Sequence, residues 1–212
     1  MSTKERPIIF SGPMVRAILE GRKTQTRRVV RRQGDMEFDP ADPHFGPYWL
    51  SYATDAEGED ARVRCPYGKP GDRLWVRETL YRWTGCGRAP ERFLCIGGPQ
   101  YCYADDSEFG VERQRLDHPA ASCVVTVPSI FMPRWASRIT LEITGVRVER
   151  LQEISEPDCW AEGIEAAGWN CERYGSVVEC YRDLWQSIHG ADSWHANSWV
   201  WVVEFKRVEV QS

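Results

Sequence analysis

Alternating apolar and polar positions predict β-strands that are widely separated along the chain. The clearest alternation covers residues 139–148, where Gly145 indicates a bulge. Residues 73–79 alternate too, with Leu74 and Val76 on one face. Residues 8–10 form a short apolar strand, and residues 198–208 form a long one whose first half is apolar on both faces. The pattern therefore predicts a sheet that is built from distant segments.

Helical spacing is confined to three short segments. Residues 14–20 predict a helix with Met14, Ile18 and either Ala17 or Leu19 buried, ending at Gly21. Ser155 followed by Pro157 starts a short helix that ends near Gly163. Ser176 and Glu179 form a capping box that opens a helix to about residue 188. Its apolar stripe consists of Val178, Tyr181, Leu184, Trp185 and Ile188.

Several long-range strands, few helices and no alternating strand–helix rhythm favour an α+β fold. We predict a small β-barrel with short helices packed at its ends. The 212 residues suit a single domain spanning 1–212. Two stretches of different composition, at about 33–64 and 85–128, are predicted as long insertions, and the first is acidic and rich in proline.

Composition narrows the class of protein. The chain is 42% hydrophobic with a mean hydropathy of -0.50, and it contains no run of 18 apolar residues. Its charged N-terminus has no apolar signal core. These features predict a soluble, cytoplasmic protein with no membrane association. The eight cysteines are predicted to be mostly reduced thiols in such a compartment.

Charge is distributed unevenly around a net value of -4. Residues 1–32 carry nine Lys or Arg side chains against two acidic ones, so the local excess is +7 and the remainder of the chain carries -11. A positive patch on an acidic body suits a phosphate-bearing or other anionic ligand. The alternative is an ordinary solvated face.

The most suggestive chemistry lies in residues 21–28. Lys23 and Thr26 are three residues apart just after a predicted helix, so they can turn to the same side. A lysine that is partly desolvated beside arginines has a lowered pKa and can act as a base for a hydroxyl nucleophile. The alternative is a phosphate clamp formed with Arg22, Arg27 and Arg28.

Further candidates lie around the predicted barrel wall. Glu78 is in phase with the apolar face of its strand, so it either contacts a ligand or pairs with Arg134 or Arg138. Those arginines can instead hold phosphate, and Trp135 either stacks on a base or anchors the core. Asn197, before the last strand, can read a base edge. The candidate ligand contacts in this group are Trp75, Arg77, Glu78, Arg134, Trp135, Arg138 and Asn197.

The sequence predicts no metal site and no cofactor. The second insertion holds Cys86, Cys95, Cys102 and Cys123 with His118, but no two of these cysteines have the close spacing of a zinc ribbon. The chain contains neither a P-loop nor a dinucleotide-binding fingerprint.

Three separate stretches resemble the ASCH family of the PUA-like fold. They are residues 18–27 (ILEGRKTQTR), 70–78 (PGDRLWVRE) and 199–205 (WVWVVEF). The run MPRWASR at 132–138 is similar to one found in the longer ASCH proteins of bacteriophages and prophages. The resemblance implies a β-barrel with a cleft that is suited to RNA or to a modified nucleoside.

The resemblance also implies an activity. A small bacterial member of the family is an amidohydrolase that removes acetate from N4-acetylcytidine through a Lys, a Thr and a Glu. Lys23 and Thr26 match the first two, and counting from residues 151–156 puts the third at Glu162. Thr26 would then be the nucleophile, Lys23 its activator and Glu162 the acid/base or orienting carboxylate. The alternatives are a non-catalytic module that binds RNA or a modified base, and a phage factor that binds a host protein through residues 33–64.

Overall fold

The structure, a computed structural model, describes most of the chain outside the two predicted insertions. The described residues are 3–31, 33, 36–37, 49–52, 62–83, 101–103, 124–164 and 171–208. The question of a zinc site at Cys86, Cys95, Cys123 and His118 lies outside these residues, and Cys102 is described only as part of a strand.

Three α-helices and eleven strands make up the described part of the chain. The first half contains β1 (Glu5–Ile9), α1 (Gly12–Leu19), β2 (Gln25–Val29), β3 (Met36–Glu37), β4 (Trp49–Tyr52), β5 (Arg62–Arg64) and β6 (Arg73–Arg77). The second half contains β7 (Leu80–Trp83), β8 (Tyr101–Tyr103), β9 (Val124–Val127), β10 (Thr140–Arg150), α2 (Glu156–Ala161), α3 (Val177–His189) and β11 (Trp199–Val208). Short 3-10 turns at Ser129–Phe131 and Arg134–Ala136 precede β10.

A five-stranded mixed sheet organises the fold, in the order β1-β6-β10-β11-β2. β1 and β6 are parallel, and the other neighbouring strands are antiparallel. The register shifts between Ile143 and Gly145, which confirms the predicted bulge. The other described strands form two three-stranded sheets, β3-β4-β5 and β8-β7-β9. The prediction of a mixed fold with few helices is therefore confirmed.

The described strands do not form a closed barrel, because β1 and β2 are the two edges of the central sheet and share no backbone ladder. Side chains bridge these edges instead. The Arg28 Nη2 of β2 donates to the backbone oxygen of Ile9 in β1 at 3.0 Å. The guanidinium of Arg28 also lies 5.2 Å from the ring centroid of Phe10. The gap between the edges is thus narrow enough for one arginine to span.

The first half of β11 is buried on both faces, as its sequence predicts. Trp201, Val203 and Phe205 pack with β6, β10 and α1 in one core. Val200 and Val202 face a second core, which α2 and α3 complete. Because both faces are covered, this strand fixes the position of the helices relative to the sheet.

The helix caps also follow the sequence. The hydroxyl of Ser155 accepts from the Asp158 amide at the start of α2, and that of Ser176 accepts from the Glu179 amide at the start of α3. In α3, Tyr181, Leu184 and Trp185 are buried as predicted. The prediction is wrong for Ile188, which is 62% exposed because the last turn of α3 borders a pocket rather than the core.

The described cysteines are not all thiols. Cys171 and Cys180 form a disulfide at the start of α3, so the prediction of mostly reduced cysteines does not hold for this pair. Cys65 and Cys159 are buried thiols, and burial raises the pKa of Cys65 to about 11 and that of Cys159 to about 12. Both thiols are therefore protonated and unreactive near neutral pH.

Candidate active site

A pocket of about 440 Å³ opens at the gap between the two sheet edges. Its floor comes from β2 and the end of α2, and consists of Lys23, Thr26, Arg27, Arg28 and Glu162. One wall is the end of β1 and the start of α1, with Ile9, Phe10, Ser11, Pro13 and Met14. The opposite wall is α3, with Tyr181, Leu184, Trp185, Ile188 and His189. The pocket thus combines a charged floor with largely apolar walls.

Lys23 and Glu162 form a buried ion pair on the floor. The Lys23 Nζ donates to the Glu162 Oε2 at 2.9 Å and to the Glu162 backbone oxygen at 2.7 Å. Both side chains are buried. The structure therefore brings together a lysine and a glutamate that are 139 positions apart in sequence.

Two tight turns bring Lys23 and Glu162 into contact. After α1, Gly21 adopts a φ of +75° and the Lys23 amide folds back onto the Ala17 oxygen. After α2, Gly163 adopts a φ of +76°, and a Cβ there would lie 3.0 Å from the Lys23 Cβ. The Thr24 amide also donates to the Ala161 oxygen at 2.9 Å. The close approach of the two turns requires glycine at position 163.

The environment of Lys23 favours its neutral form. Burial lowers its pKa, and the positive charges of Arg28 and Arg27 lower it further. The Glu162 carboxylate opposes this effect through its charge and its hydrogen bond, but the pKa stays below its usual value. At neutral pH, a larger fraction of Lys23 is therefore in the neutral, proton-accepting form than for a lysine in water.

Thr26 lies beside this pair and is almost fully buried. Its Oγ1 accepts a hydrogen bond from the Arg28 Nη1 at 2.8 Å. Because the guanidinium has only donors, this contact leaves the threonine proton available to an acceptor. Arg28 thereby orients the Thr26 hydroxyl within the pocket.

Arg27 ties the floor to the rest of the fold. Its Nη2 donates to Glu149 of β10 at 2.9 Å and to Asp158 of α2 at 3.0 Å, while Nη1 lies 3.4 Å from Glu162. The side chain is 0% exposed. Burial opposes its charge, but the nearby carboxylates outweigh burial and raise its pKa. Arg27, predicted as a ligand contact, is thus engaged with three carboxylates of the protein.

The α3 wall is the part of the site that sequence reasoning missed. Trp185 and His189 stack with their ring centroids 4.2 Å apart. Burial, reinforced by Arg28, lowers the pKa of His189, so its ring is neutral near neutral pH. Burial also raises the pKa of Tyr181, and Glu162 raises it further, so the phenol stays protonated. The capping box located α3, but its apolar stripe indicated only a core.

Several predicted ligand contacts do not line this pocket. Glu78 is buried and bound by Arg138 through contacts of 2.8 and 3.1 Å, so the ion-pair alternative holds for it. The Asn197 Oδ1 accepts from the Gln152 amide at 2.9 Å and shapes a loop. Arg22 is exposed and paired with Glu20. All three positions are therefore engaged by partners within the protein.

The remaining predicted contacts, Trp75, Arg77, Arg134 and Trp135, also lie outside the lining of the pocket, and Trp75 itself is buried. The Arg77 and Arg134 guanidiniums lie 4.7 and 5.8 Å from the Trp75 ring centroid. Trp135 is 58% exposed, so the alternative of a core anchor is wrong. The structure therefore divides the predicted site residues into a pocket group, which lines the cavity, and a second group that does not.

The pocket group has the parts of an acyl-transfer site. A hydroxyl, an amine with a lowered pKa and a carboxylate line one cavity, and an arginine orients the hydroxyl. Among the described residues, no three His, Cys, Asp or Glu side chains are grouped to hold a metal ion. No helix in that part of the chain is long and apolar enough to cross a membrane. Comparison of the chain with family models, curated proteins and solved structures finds no match.

Proposed function

We propose that the protein is an ASCH-type amidohydrolase that removes the acyl group from an N4-acylated cytidine. The observation that carries this proposal is that Lys23, Thr26 and Glu162 line a single pocket. The same proposal includes a PUA-like barrel, and the bridge that Arg28 makes between the two sheet edges supports it.

In the proposed reaction, Thr26 is the nucleophile. Neutral Lys23 accepts the Thr26 proton while Oγ1 attacks the acyl carbonyl carbon. The tetrahedral intermediate collapses as the C–N bond breaks, and the proton passes from Lys23 to the departing N4 amine. An acyl ester on Thr26 remains. Water then attacks this ester with Lys23 as base, which releases the carboxylic acid and restores the Thr26 hydroxyl.

Two neighbouring side chains support these steps. Glu162 fixes the Lys23 amine through the 2.9 Å contact, and its charge stabilises the ammonium that forms after proton transfer. Arg28 already donates to the Thr26 Oγ1 at 2.8 Å, so its positive charge would stabilise the alkoxide character that develops on Oγ1 as its proton leaves.

The dimensions and the walls of the pocket suit a nucleoside. A volume of about 440 Å³ falls within the range of small-molecule sites, which is about 300–1,000 Å³. Phe10 on one wall and Trp185 on the other offer aromatic surfaces to a flat heterocycle. The pocket therefore provides apolar contact for the base next to a polar floor for the amide.

The direct test is to incubate the purified protein with N4-acetylcytidine and to follow cytidine and acetate by chromatography. We expect equimolar release of both products, and loss of this release in Lys23→Ala because Lys23 is the proposed base and the only lysine among the described residues that line the pocket. Lys206→Ala removes an exposed lysine of β11 and serves as the control with full turnover. Equal rates for Lys23→Ala and the wild type would exclude the proposal.

The pH dependence of kcat/KM provides a second prediction. Lys23 must be neutral to act as base, so kcat/KM is expected to rise with pH through the Lys23 pKa of the free enzyme. Because that pKa is lowered, kcat/KM should rise at a pH below the usual pKa of a lysine side chain. Steady-state rates measured from pH 5 to 11 would show it. A profile that rises only near the pKa of an ordinary lysine would contradict the role of Lys23 as a desolvated base.

A binding module without chemistry is the second candidate. The contacts on the floor favour a binding module in one respect. The Lys23 amine already donates to the Oε2 and the backbone oxygen of Glu162, and the Thr26 hydroxyl already accepts from Arg28. Calorimetric titration with N4-acetylcytidine distinguishes the binding module from the amidohydrolase. Binding without product, unchanged in Thr26→Ala, would favour the module over the enzyme.

A further inference from the structure

Tyr181 is a buried polar residue of the pocket that the proposed reaction does not use. It lies on the α3 wall of the cavity whose floor holds Thr26 and Glu162. The residue is 4% exposed, and its ring packs against two indoles, with centroid distances of 6.2 Å to Trp185 and 6.5 Å to Trp194. Packing therefore restrains the phenol at the wall of the pocket.

The hydroxyl of Tyr181 lacks an acceptor in the part of the chain that the structure describes. No hydrogen bond of this hydroxyl is found there, and the largest influences on its pKa are burial and the charges of Glu162 and Arg27. A buried donor without an acceptor destabilises the folded state, so native proteins retain few of them. A group of this kind on the wall of a cavity is explained when a ligand supplies the acceptor.

Most other donors of the pocket are engaged or exposed. Lys23 and Arg28 donate to oxygens of neighbouring residues, including Glu162 and Thr26. The side chains at positions 11 and 189, a serine and a histidine, are exposed, so water competes with a ligand for their hydrogen bonds. These four side chains therefore do not supply a ligand with a free, desolvated donor.

Two further donor atoms of the lining also lack a partner. The Arg27 Nε and the Trp185 Nε1 have no acceptor within the described ranges, but the protein encloses both atoms completely. The Tyr181 oxygen is not among these enclosed atoms, so a ligand in the cavity can reach it. Apart from the proposed nucleophile Thr26, Tyr181 is therefore the buried side chain of the described lining that can donate to a ligand.

We propose that the Tyr181 hydroxyl donates to the acyl carbonyl oxygen of the bound substrate and stabilises the negative charge that this oxygen gains in the tetrahedral intermediate. As the Thr26 Oγ1 bonds to the carbonyl carbon, the π electron pair of the C=O bond moves onto the oxygen. The pair returns when the C–N bond breaks. Tyr181 keeps its proton throughout, because burial holds the pKa of the phenol well above its usual value. The inference rests on the proposed function, which supplies the acyl group.

The first test is the kinetics of Tyr181→Phe, which keeps the ring and removes only the hydroxyl. We expect kcat for N4-acetylcytidine to fall about 100- to 1,000-fold, the usual effect of losing one oxyanion donor, with a much smaller change in KM. The urea midpoint of unfolding should not fall, because the hydroxyl has no described partner to lose. An unchanged kcat would overturn the inference, and so would a loss of kcat that is accompanied by a lower urea midpoint.

Tyr81→Phe is the matched control. Tyr81 is a buried tyrosine of β7 with 8% exposure, and it is not part of the pocket lining. The substitution removes the same hydroxyl away from the cavity, so kcat should equal that of the wild type. A loss of kcat as large as that of Tyr181→Phe would mean that the effect does not come from the pocket, and the inference would fail.

A binding experiment separates this contact from the reaction. In a Thr26→Ala background, which cannot form the ester, calorimetry compares N4-acetylcytidine with N4-ethylcytidine, whose methylene replaces the carbonyl. Adding Tyr181→Phe is expected to weaken binding of the acetyl ligand about fivefold, as the loss of one hydrogen bond does, and to leave binding of the ethyl ligand unchanged. An equal effect on both ligands, or no effect on either, would overturn the inference.

The donor and the amidohydrolase fail in different ways. Hydrolysis by the wild type, without a selective effect of Tyr181→Phe, would remove the donor and leave the amidohydrolase. A selective effect on binding of the acetyl ligand, without release of acetate by the wild type, would remove the amidohydrolase and leave the contact. Binding of neither ligand would overturn both.

Discussion

Thr26→Ala is expected to lower kcat for N4-acetylcytidine by about 1,000-fold or more, because it removes the nucleophile rather than a contact that assists it. The affinity for the substrate should change little, since the lost hydroxyl is small and the Lys23–Glu162 pair and the pocket walls remain. Single-turnover kinetics, together with mass spectrometry of acid-quenched enzyme, would measure both the rate and the acyl ester on Thr26.

Two further variants make this experiment specific. Thr26→Ser keeps a hydroxyl at the same position and should retain measurable turnover. Thr144→Ala changes an exposed threonine of β10 and should match the wild type. Comparable kcat values for Thr26→Ala and Thr144→Ala would refute covalent catalysis at this residue, whatever the pocket binds.

Arg27→Met is expected to lower the free energy of unfolding by about 3–5 kcal/mol, which is the usual cost of removing one partner from a buried ionic cluster. The side chain is 0% exposed and contacts Glu149, Asp158 and Glu162. Without the guanidinium, these three carboxylates lose the one cation that contacts all of them, and only Lys23 and Arg147 remain as their described partners. Urea denaturation of the wild type and the variant at neutral pH would give the difference.

Arg182→Met provides the comparison for this loss of stability. Arg182 is paired with Asp183 on the surface of α3. Surface pairs of this kind contribute about 0–1 kcal/mol. A similar small loss for Arg27→Met would mean that the cluster around it is not a source of stability.

Local sequence predicts much of this fold because local rules form its elements. The strand predicted over residues 198–208 is observed as Trp199–Val208, since its apolar positions on both faces require cover from two sides. The N-caps at Ser155 and Ser176 were predictable because a hydroxyl at that position satisfies an amide of the first turn. The bulge at Gly145 follows from a glycine within an alternating strand.

Long-range partners were much less predictable. Nothing in the sequence around Arg27 identifies its carboxylate partners, which come from β10 and α2. Ile188 continues the apolar stripe of α3 but lines a cavity, and periodicity alone does not distinguish a cavity from a core. The prediction of a closed barrel is not confirmed either, because the number and spacing of strands do not determine whether the two edge strands pair.

The Arg28 bridge has a thermodynamic consequence. β1 and β2 are the edges of the central sheet and share no ladder, and the Arg28 side chain of β2 bridges them with one hydrogen bond to Ile9. A ligand that fills the pocket would contact residues of both edges, so its binding free energy would stabilise the folded protein. Occupancy and resistance to heat are therefore linked, and amide protons along these two edges become slower to exchange when the pocket is filled.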